Sequence, residues 1–430
     1  MKILLMSPLM APGRRTHRSI RIPQLTLHLI KSITPGEHDV QIIEEELEEI
    51  DVEADCDLVG ITCLTTNALR SYDFADELRR RGKIVVMGGI HPTALPDEAL
   101  LHCDAVVIGE AENVWDELLE DAAGGRLKKK YFGTPVDLEK LPVIKLPRID
   151  QNAMGIVPIM TTRGCPYDCS FCSATSVFGK KIRHVPVSDV IEYIRINKLK
   201  RVMFLDDNII GHKKYARELF TALMPLGIDW VGNASISVAD DPDFLNLIAG
   251  SGCHAFFMGL ETIMPDSATG FKKAKSPAET ANAIRTIMKA GIKVHASMIF
   301  GFDTDDGSVF EKTVDFLMKT KVHSISFNIL TPFPGTALFE QYEREGRMIS
   351  RDWSKFEFDN VVFTPRCMTP DELTRGVFYA RKRFNSLASM VRRFPANMRM
   401  PLVYLAMNAA FYRNSKREWK EYLRSCSAQT

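Results

Sequence analysis

The sequence predicts an α/β protein in three parts: an N-terminal doubly wound, Rossmann-like parallel-sheet domain, a partial (β/α)6 TIM-like barrel, and a helical C-terminal region. Apolar runs of strand length alternate with helix-like patterns before residue 125, and the alternation restarts near residue 157. Beyond Pro332 the strand-like runs stop. The expected boundaries are 1–125 for the first domain, 126–150 for a linker, 151–337 for the barrel and 338–430 for the helical region.

In the first domain the strand candidates are Lys2 to Met6, Asp39 to Ile43, Asp57 to Cys63, Lys83 to Met87 and Ala105 to Ile108, with helix candidates Ala68 to Arg81 and Ala111 to Ala123. Gly124-Gly125, Lys128 to Lys130 and a Pro-bearing stretch to Pro147 read as the linker. Six further runs follow: Val157 to Met160, Arg201 to Leu205, Trp230 to Ile236, Ala255 to Leu260, Lys293 to Ile299 and Ser324 to Leu330. Between them Ser188 to Asn197, Lys213 to Leu223, Pro242 to Ala249, Ala278 to Lys289 and Gly307 to Met318 read as helices. A barrel of such repeats places its chemistry at the carboxyl ends of its strands.

The 430 residues are 45% hydrophobic and 25% charged, an ordinary globular composition for two or three domains. MKILLMSPLM lacks a signal-peptide core, and the longest apolar run, Met400 to Tyr412, is interrupted by Asn408 and falls short of a bilayer span. A cytoplasmic chain is expected, and no nucleic-acid partner. Six of the nine cysteines, Cys56, Cys63, Cys103, Cys253, Cys367 and Cys426, are scattered singly and read as small buried hydrophobes. The net charge of +1 conceals a basic tail, where Arg381 to Lys420 holds ten Lys or Arg against Glu418. Flanking an apolar run, these cations suggest peripheral contact with an anionic membrane or a lipophilic substrate. A helix packed on the barrel with a solvated basic face would look the same.

The sharpest signal is TTRGCPYDCSFCSAT, where Cys165, Cys169 and Cys172 follow the first barrel strand at spacings of three and two intervening residues. Three thiolates on a four-iron cubane leave one iron open to chelate the amino and carboxylate groups of S-adenosylmethionine (SAM). An electron from the reduced cluster then breaks a carbon–sulfur bond, giving methionine and a 5'-deoxyadenosyl radical. A structural zinc site is the rival reading, but zinc prefers four ligands in two pairs, and no second pair exists.

The stretch from about 157 to 335 resembles the radical SAM superfamily: Cys165-x3-Cys169-x2-Cys172, with Phe171 before the last cysteine, is its cluster motif. The resemblance implies SAM contacts at matching places. Asp206 and Asp207 end the second barrel strand, where the family holds the SAM amino end, and Asn233, Ser235 and Ser237 alternate on the third. Glu261 in GLET ends the fourth strand, a place to accept from ribose hydroxyls. Gly301 lies in the matching adenine strand, and Pro332 closes the sixth. Each has a plainer reading: Asp206 and Asp207 as caps of the helix starting near His212, Asn233 and Ser235 as satisfied core polar groups. His184, His254 and His295 are candidate donors near substrate, and Lys272, Lys273 and Lys275 read as a solvated charge run.

Residues 1 to about 125 resemble the cobalamin-binding domain that precedes the barrel in a large subgroup of that superfamily. The resemblance rests on Gly60-Ile61-Thr62-Cys63-Leu64-Thr65-Thr66, Gly88-Gly89-Ile90-His91-Pro92-Thr93 and Ile108-Gly109-Glu110-Ala111-Glu112. It implies cobalamin contacts from Thr62, Thr65, Thr66, Gly88, Gly89, His91, Gly109 and Glu110. The Asp-x-His-x-x-Gly motif that supplies an axial histidine elsewhere is absent, and His17 in RRTHRSI does not match it.

The resemblance implies an enzyme with a 4Fe-4S cluster, SAM and cobalamin, methylating an unactivated carbon of a small, lipophilic molecule and drawing electrons from a donor such as flavodoxin or ferredoxin. A radical cyclase or carbon–carbon coupling enzyme is the alternative within the subgroup. A non-catalytic redox or corrinoid sensor is the alternative outside catalysis.

Overall fold

The structure, a computed structural model, describes residues 1–10, 23–141, 156–264, 267, 275–397 and 401–427. The strands described in the first 141 residues are β1 (Lys2–Ser7), β2 (Asp39–Glu44), β3 (Leu58–Thr62), β4 (Ile84–Gly88), β5 (Ala105–Ile108) and β6 (Lys130–Phe132). They form a parallel sheet in the order β2-β1-β3-β4-β5-β6. Its central strands are buried on both faces, which is why they read as continuous apolar runs. Helices Leu25–Ile33 and Trp115–Ala123 cover one face, and Ala68–Arg80 covers the other. From the centre of the sheet, connections leave β1 and β3 in opposite directions, and a crevice opens at their carboxyl ends.

Two features depart from expectation. Within the stretch expected as a linker, Lys130–Phe132 pairs with Val106–Ile108 and extends the sheet. Only residues 142–155 of that stretch and its immediate sequel lie outside the described residues. Helix Leu25–Ile33 is an unexpected element; no side-chain cap marks its start, so the sequence carries little boundary signal there.

In the second unit the strands are β7 (Ile156–Ile159), β8 (Thr162–Arg163), β9 (Arg183–His184), β10 (Arg201–Phe204), β11 (Asp229–Asn233), β12 (Cys253–Glu261), β13 (Lys293–Phe300) and β14 (Ser324–Ile329). Six of them make an open parallel sheet, β14-β13-β12-β11-β10-β7, the partial barrel expected. The helices Val187–Ile196, Lys213–Leu223, Pro242–Gly250, Pro277–Lys289 and Val309–Thr320 share one core with it, in which fully buried Trp230 stacks on Phe220. The third barrel strand ends sooner than expected. Asn208 Oδ1 accepts from the Ser235 backbone N–H, and the chain coils into a 3-10 turn over Ile236–Asp240 instead of continuing to Ile236 as a strand.

The carboxyl-terminal third ties the two sheets together. Phe339, Trp353, Phe356 and Val362 join the core of the N-terminal sheet, whereas Leu373, Val377 and Phe384 of helix Pro370–Phe384 join that of the barrel. Trp353 Nε1 donates to Glu98 at 2.6 Å. The last helix, Pro401–Ser427, buries Tyr404 and Asn408 against Arg393 and His323. Among the described residues no helix is long and apolar enough to cross a membrane.

Candidate active site

The three cysteines lie on an excursion from the barrel whose neck is a two-stranded antiparallel ladder. Thr162 pairs with His184 and Arg163 with Arg183, and residues 164–182 loop out between them. Gly164 turns the chain out of β8 with φ +98°, and an added Cβ would meet the Lys181 carbonyl at 2.6 Å, so this position needs glycine. Cys165 N–H donates to Gly179 O and Cys172 N–H to Cys169 O, folding the loop on itself. Leu338 N–H donates to Ser170 O, and Tyr167 OH donates to Ser235 Oγ at 3.3 Å. Cys165, Cys169 and Cys172 are half-buried, open enough for a bound group. Among the described residues no three His, Cys, Asp or Glu converge on a point for one ion. Three thiols on one pinned loop suit three irons of a cubane with a fourth left open, and the donor set fits.

Around this loop the expected SAM positions divide. Phe171 lies 6.2 Å from Phe302, beside Gly301, which adopts φ +107° and is held with Phe302 by Asp305 Oδ2 accepting both backbone N–H groups. Asp207 is exposed at the strand end, with the Gly164 amide beside its carboxylate. Glu261 is buried at φ +62°, a backbone state rare outside glycine, where β12 and β13 slip register. Asn233 donates to the Asp206 carbonyl at 2.9 Å, and Ser235 and Ser237 meet at 2.7 Å. Pro332 is buried behind the sixth strand.

Asp206 corrects the expectation of a ligand contact. It is fully buried and accepts from the Thr161 and Thr162 hydroxyls at 2.7 and 2.5 Å, joining β10 to the segment entering the cysteine loop. Burial pushes its carboxyl up to about 6 against the pull of these donors. Nor does it cap the following helix, because His212 Nδ1 accepts from Tyr215 N–H there. His254 also lies away from the site, on the surface with Asp229. His295 stands inside the barrel between Ser324 and Ser326, and burial lowers it to about 4. His184 stacks on Tyr215 at the loop neck, and Lys275 pairs with Asp240; Lys272 and Lys273 lie outside the described residues.

Facing the cysteine loop, the crevice of the N-terminal sheet holds a cavity of about 240 Å³. Leu5, Gly60, Thr62, Gly88, Val107 and Trp115 line its sheet side, and Met160, Arg163 and Phe178 line its barrel side. A Cβ on Gly60 would stand 2.8 Å from Leu5 Cδ2, so glycine keeps the cradle open. The apolar floor and glycine approach fit the insertion of part of a cobalamin, and among the described residues no histidine lines it. His17 lies outside the described residues.

Three of the expected cobalamin contacts, Thr65, Thr66 and His91, lie off the cradle, whereas Gly89, Gly109 and Glu110 line it while also serving the scaffold. His91 is fully buried, within hydrogen-bond reach of Thr65 Oγ1 and Tyr72 OH, and turned away from the cavity. Thr65 is buried with it. Gly89 and Gly109 have positive φ and allow close backbone approach to Cys63 and Gly133. Thr66 faces a different cavity. Glu110 accepts from both Arg163 (2.7 Å) and Arg183 (2.8 and 2.5 Å), while Glu112 accepts from Arg163 at 2.5 Å. Burial raises the Glu110 carboxyl, but Arg183 and Arg163 outweigh it and hold the group below its usual value. Sequence reasoning missed this clamp between domains, because no local spacing links Glu110 to arginines more than fifty positions away.

The comparisons agree with this geometry. Residues 159–317 match the family described as the radical SAM superfamily, and residues 27–119 match the B12 binding domain. Two relatives from Chlorobaculum tepidum, the bacteriochlorophyllide d C-12(1)- and C-8(2)-methyltransferases, are each 31% identical; they match 86% and 79% of this chain over 84% and 80% of their own lengths. The solved structure of the radical SAM methyltransferase TsrM from Kitasatospora setae, with cobalamin and a [4Fe-4S] cluster bound, shares the fold with a TM-score of 0.71 at 17% identity, over 88% of each chain.

A barrel with a three-cysteine loop, facing a corrinoid cradle, defines a cobalamin-binding radical SAM enzyme, and the chain belongs to that family. Its cofactors are a 4Fe-4S cluster, SAM and cobalamin. Within the family it is a C-methyltransferase of a small molecule, with a reductant as partner.

Proposed function

We propose that Cys165, Cys169 and Cys172 hold the cluster, that the Gly60–Gly88 crevice holds cobalamin, and that the methylated carbon belongs to a large, mainly apolar ring system. The observation that carries this reading is the direct approach of the cysteine loop to the crevice, with Val177 and Phe178 of the loop and Arg163 at its neck lining the 240 Å³ cavity. When bound, the cluster supplies the electron that splits SAM, and the corrinoid supplies the methyl group. The chain's own residues set the geometry. Tyr167, Ser235 and Ser237 fix one side of the loop, and the Glu110–Arg183 pair fixes its neck. Asp207, Asn233, Glu261 and Gly301 stand around the mouth as the proposed SAM contacts, and Phe171 with Phe302 supplies an apolar wall beside them.

The ring-system substrate is supported by the bacteriochlorophyllide named for the two relatives. Anaerobic turnover with methyl-labelled SAM, a flavodoxin or ferredoxin donor and extracts of pigments and lipids tests the proposal. Label should enter an apolar product at a carbon, with 5'-deoxyadenosine released. Release of 5'-deoxyadenosine with label found only in methionine and unspent SAM would favour cyclisation or coupling. Peripheral membrane contact belongs to the same proposal and is supported by exposed Leu387, Val391, Leu402 and Leu405 on consecutive helices that also carry exposed Arg392, Arg413 and Lys416.

A further inference from the structure

A second cavity, of about 640 Å³, lies where the N-terminal sheet, the open edge of the barrel at β14 and the last helix meet. It is separate from the corrinoid cradle at its centre, yet Leu64 and Ile90 line both, and Ser173, next to Cys172, lines this one. Its size is that of a pocket for a compound of several fused rings. Met10, Leu64 and Phe358, on three distant chain segments, are all large apolar side chains left exposed, and all three face this space. Phe333 packs edge-on to Phe358 at 5.6 Å, and Phe411 of the last helix lines the same cavity. Exposed apolar groups converging from separate segments mark a surface built to be covered by an apolar partner.

The charges are one-sided. Among the described residues, Glu357, Asp359 and Glu418 line the cavity against a single cation, Arg381, and Arg381 is already engaged by Asp359, by Glu418 at 3.5 Å and by the Phe327 carbonyl. The cation is therefore not free to receive an anionic ligand, and the wall as a whole repels one.

From these observations the geometry points to this cavity as the substrate chamber, taking the uncharged apolar ring body of the substrate with any anionic substituent directed elsewhere. This deepens the proposed function and rests on it for the reaction, though not for the binding. The last helix is then the chamber's outer wall, which gives its Phe411 and Glu418 a task in selection.

Two fluorescent probes of similar ring size test the inference on the reconstituted full-length holoenzyme: uncharged N-phenyl-1-naphthylamine and anionic 1-anilinonaphthalene-8-sulfonate. The uncharged probe should bind at least tenfold more tightly. Leu64→Ser and Phe358→Ser should each weaken it at least fivefold, Phe358→Leu should largely restore it, and Val391→Ser, at an exposed apolar position outside the cavity, should leave it unchanged. Glu357→Gln combined with Glu418→Gln should narrow the gap between the probes. Equal affinity for both probes, or binding indifferent to Leu64→Ser and Phe358→Ser, would overturn the assignment. Release of 5'-deoxyadenosine by the wild type is read separately: its absence with selective probe binding intact would count against the reaction and not against the chamber.

Discussion

Cys165, Cys169 and Cys172 share a residue type with Cys253, but their surroundings differ. The three loop cysteines are half-buried beside an open mouth, whereas Cys253 is enclosed in the barrel core and burial pushes its thiol well above the usual value. Anaerobic reconstitution should give about four irons per chain. Replacing any loop cysteine by Ala should abolish release of 5'-deoxyadenosine, while Cys253→Ala should retain both iron and release. Asp206 supports a different expectation. Its folded carboxyl, at about 6, lies above the ordinary aspartate value, so the native state binds a proton more readily than the unfolded chain. Such a group costs nothing below the unfolded value, costs increasingly more between about pH 4 and 6, and the cost then stays constant. The stability of Asp206→Asn relative to wild type should therefore rise by about 1 kcal/mol between pH 5 and 7.5 in urea titrations. A flat difference would show that the buried carboxyl is not the source.

The β8–β9 ladder is a short element with a large duty. Arg163 and Arg183 face each other across it, and both reach Glu110 on the loop after β5. Glu110→Ala would leave two buried guanidinium groups with one carboxylate, Glu112, and should cost on the order of 3–5 kcal/mol. The expected result is a lower melting temperature with proteolysis beginning at residues 164–182. The neighbouring sheet element makes a separable prediction. Gly60→Val would place atoms against Leu5 and into the crevice, so cobalamin retention through gel filtration should fall at least tenfold while iron content stays at wild-type level. With no histidine among the described residues that line the cradle, the electron spin resonance spectrum of bound cob(II)alamin should lack nitrogen splitting from a protein ligand. Such splitting, lost on His17→Ala, would place an axial histidine in the site.

Across the whole molecule, the last helix has two sides. Tyr404 and Asn408 are buried, and Asn408 Oδ1 accepts from Arg393, itself donating to the Val322 and His323 carbonyls. Of the basic residues that suggested a membrane arm, Arg393 is thus internal, Arg381 braces the β14 edge, and Arg383 pairs with Asp315. Truncation before this helix would uncover Arg393, so surface substitutions are the cleaner test. The intact chain should float with anionic liposomes at low salt and less so at high salt, and Leu402→Asp with Leu405→Asp should abolish flotation. Failure of the wild type to float would leave the helix as a wall of the chamber alone.

The local sequence by itself determined the two parallel units, the cysteine loop and its place after the first barrel strand, and the glycine-bearing ends of the N-terminal strands. These are readable because an apolar run, a turn glycine and a three-cysteine spacing are each set by a few adjacent residues. Only the tertiary structure decided that Asp206 and His91 face inward, that Glu110 clamps two arginines, and that Trp353 belongs to the N-terminal core. Those outcomes depend on partners that are distant in sequence. A buried carboxylate or imidazole is placed by whichever donors the fold brings to it, and no local pattern records which those are.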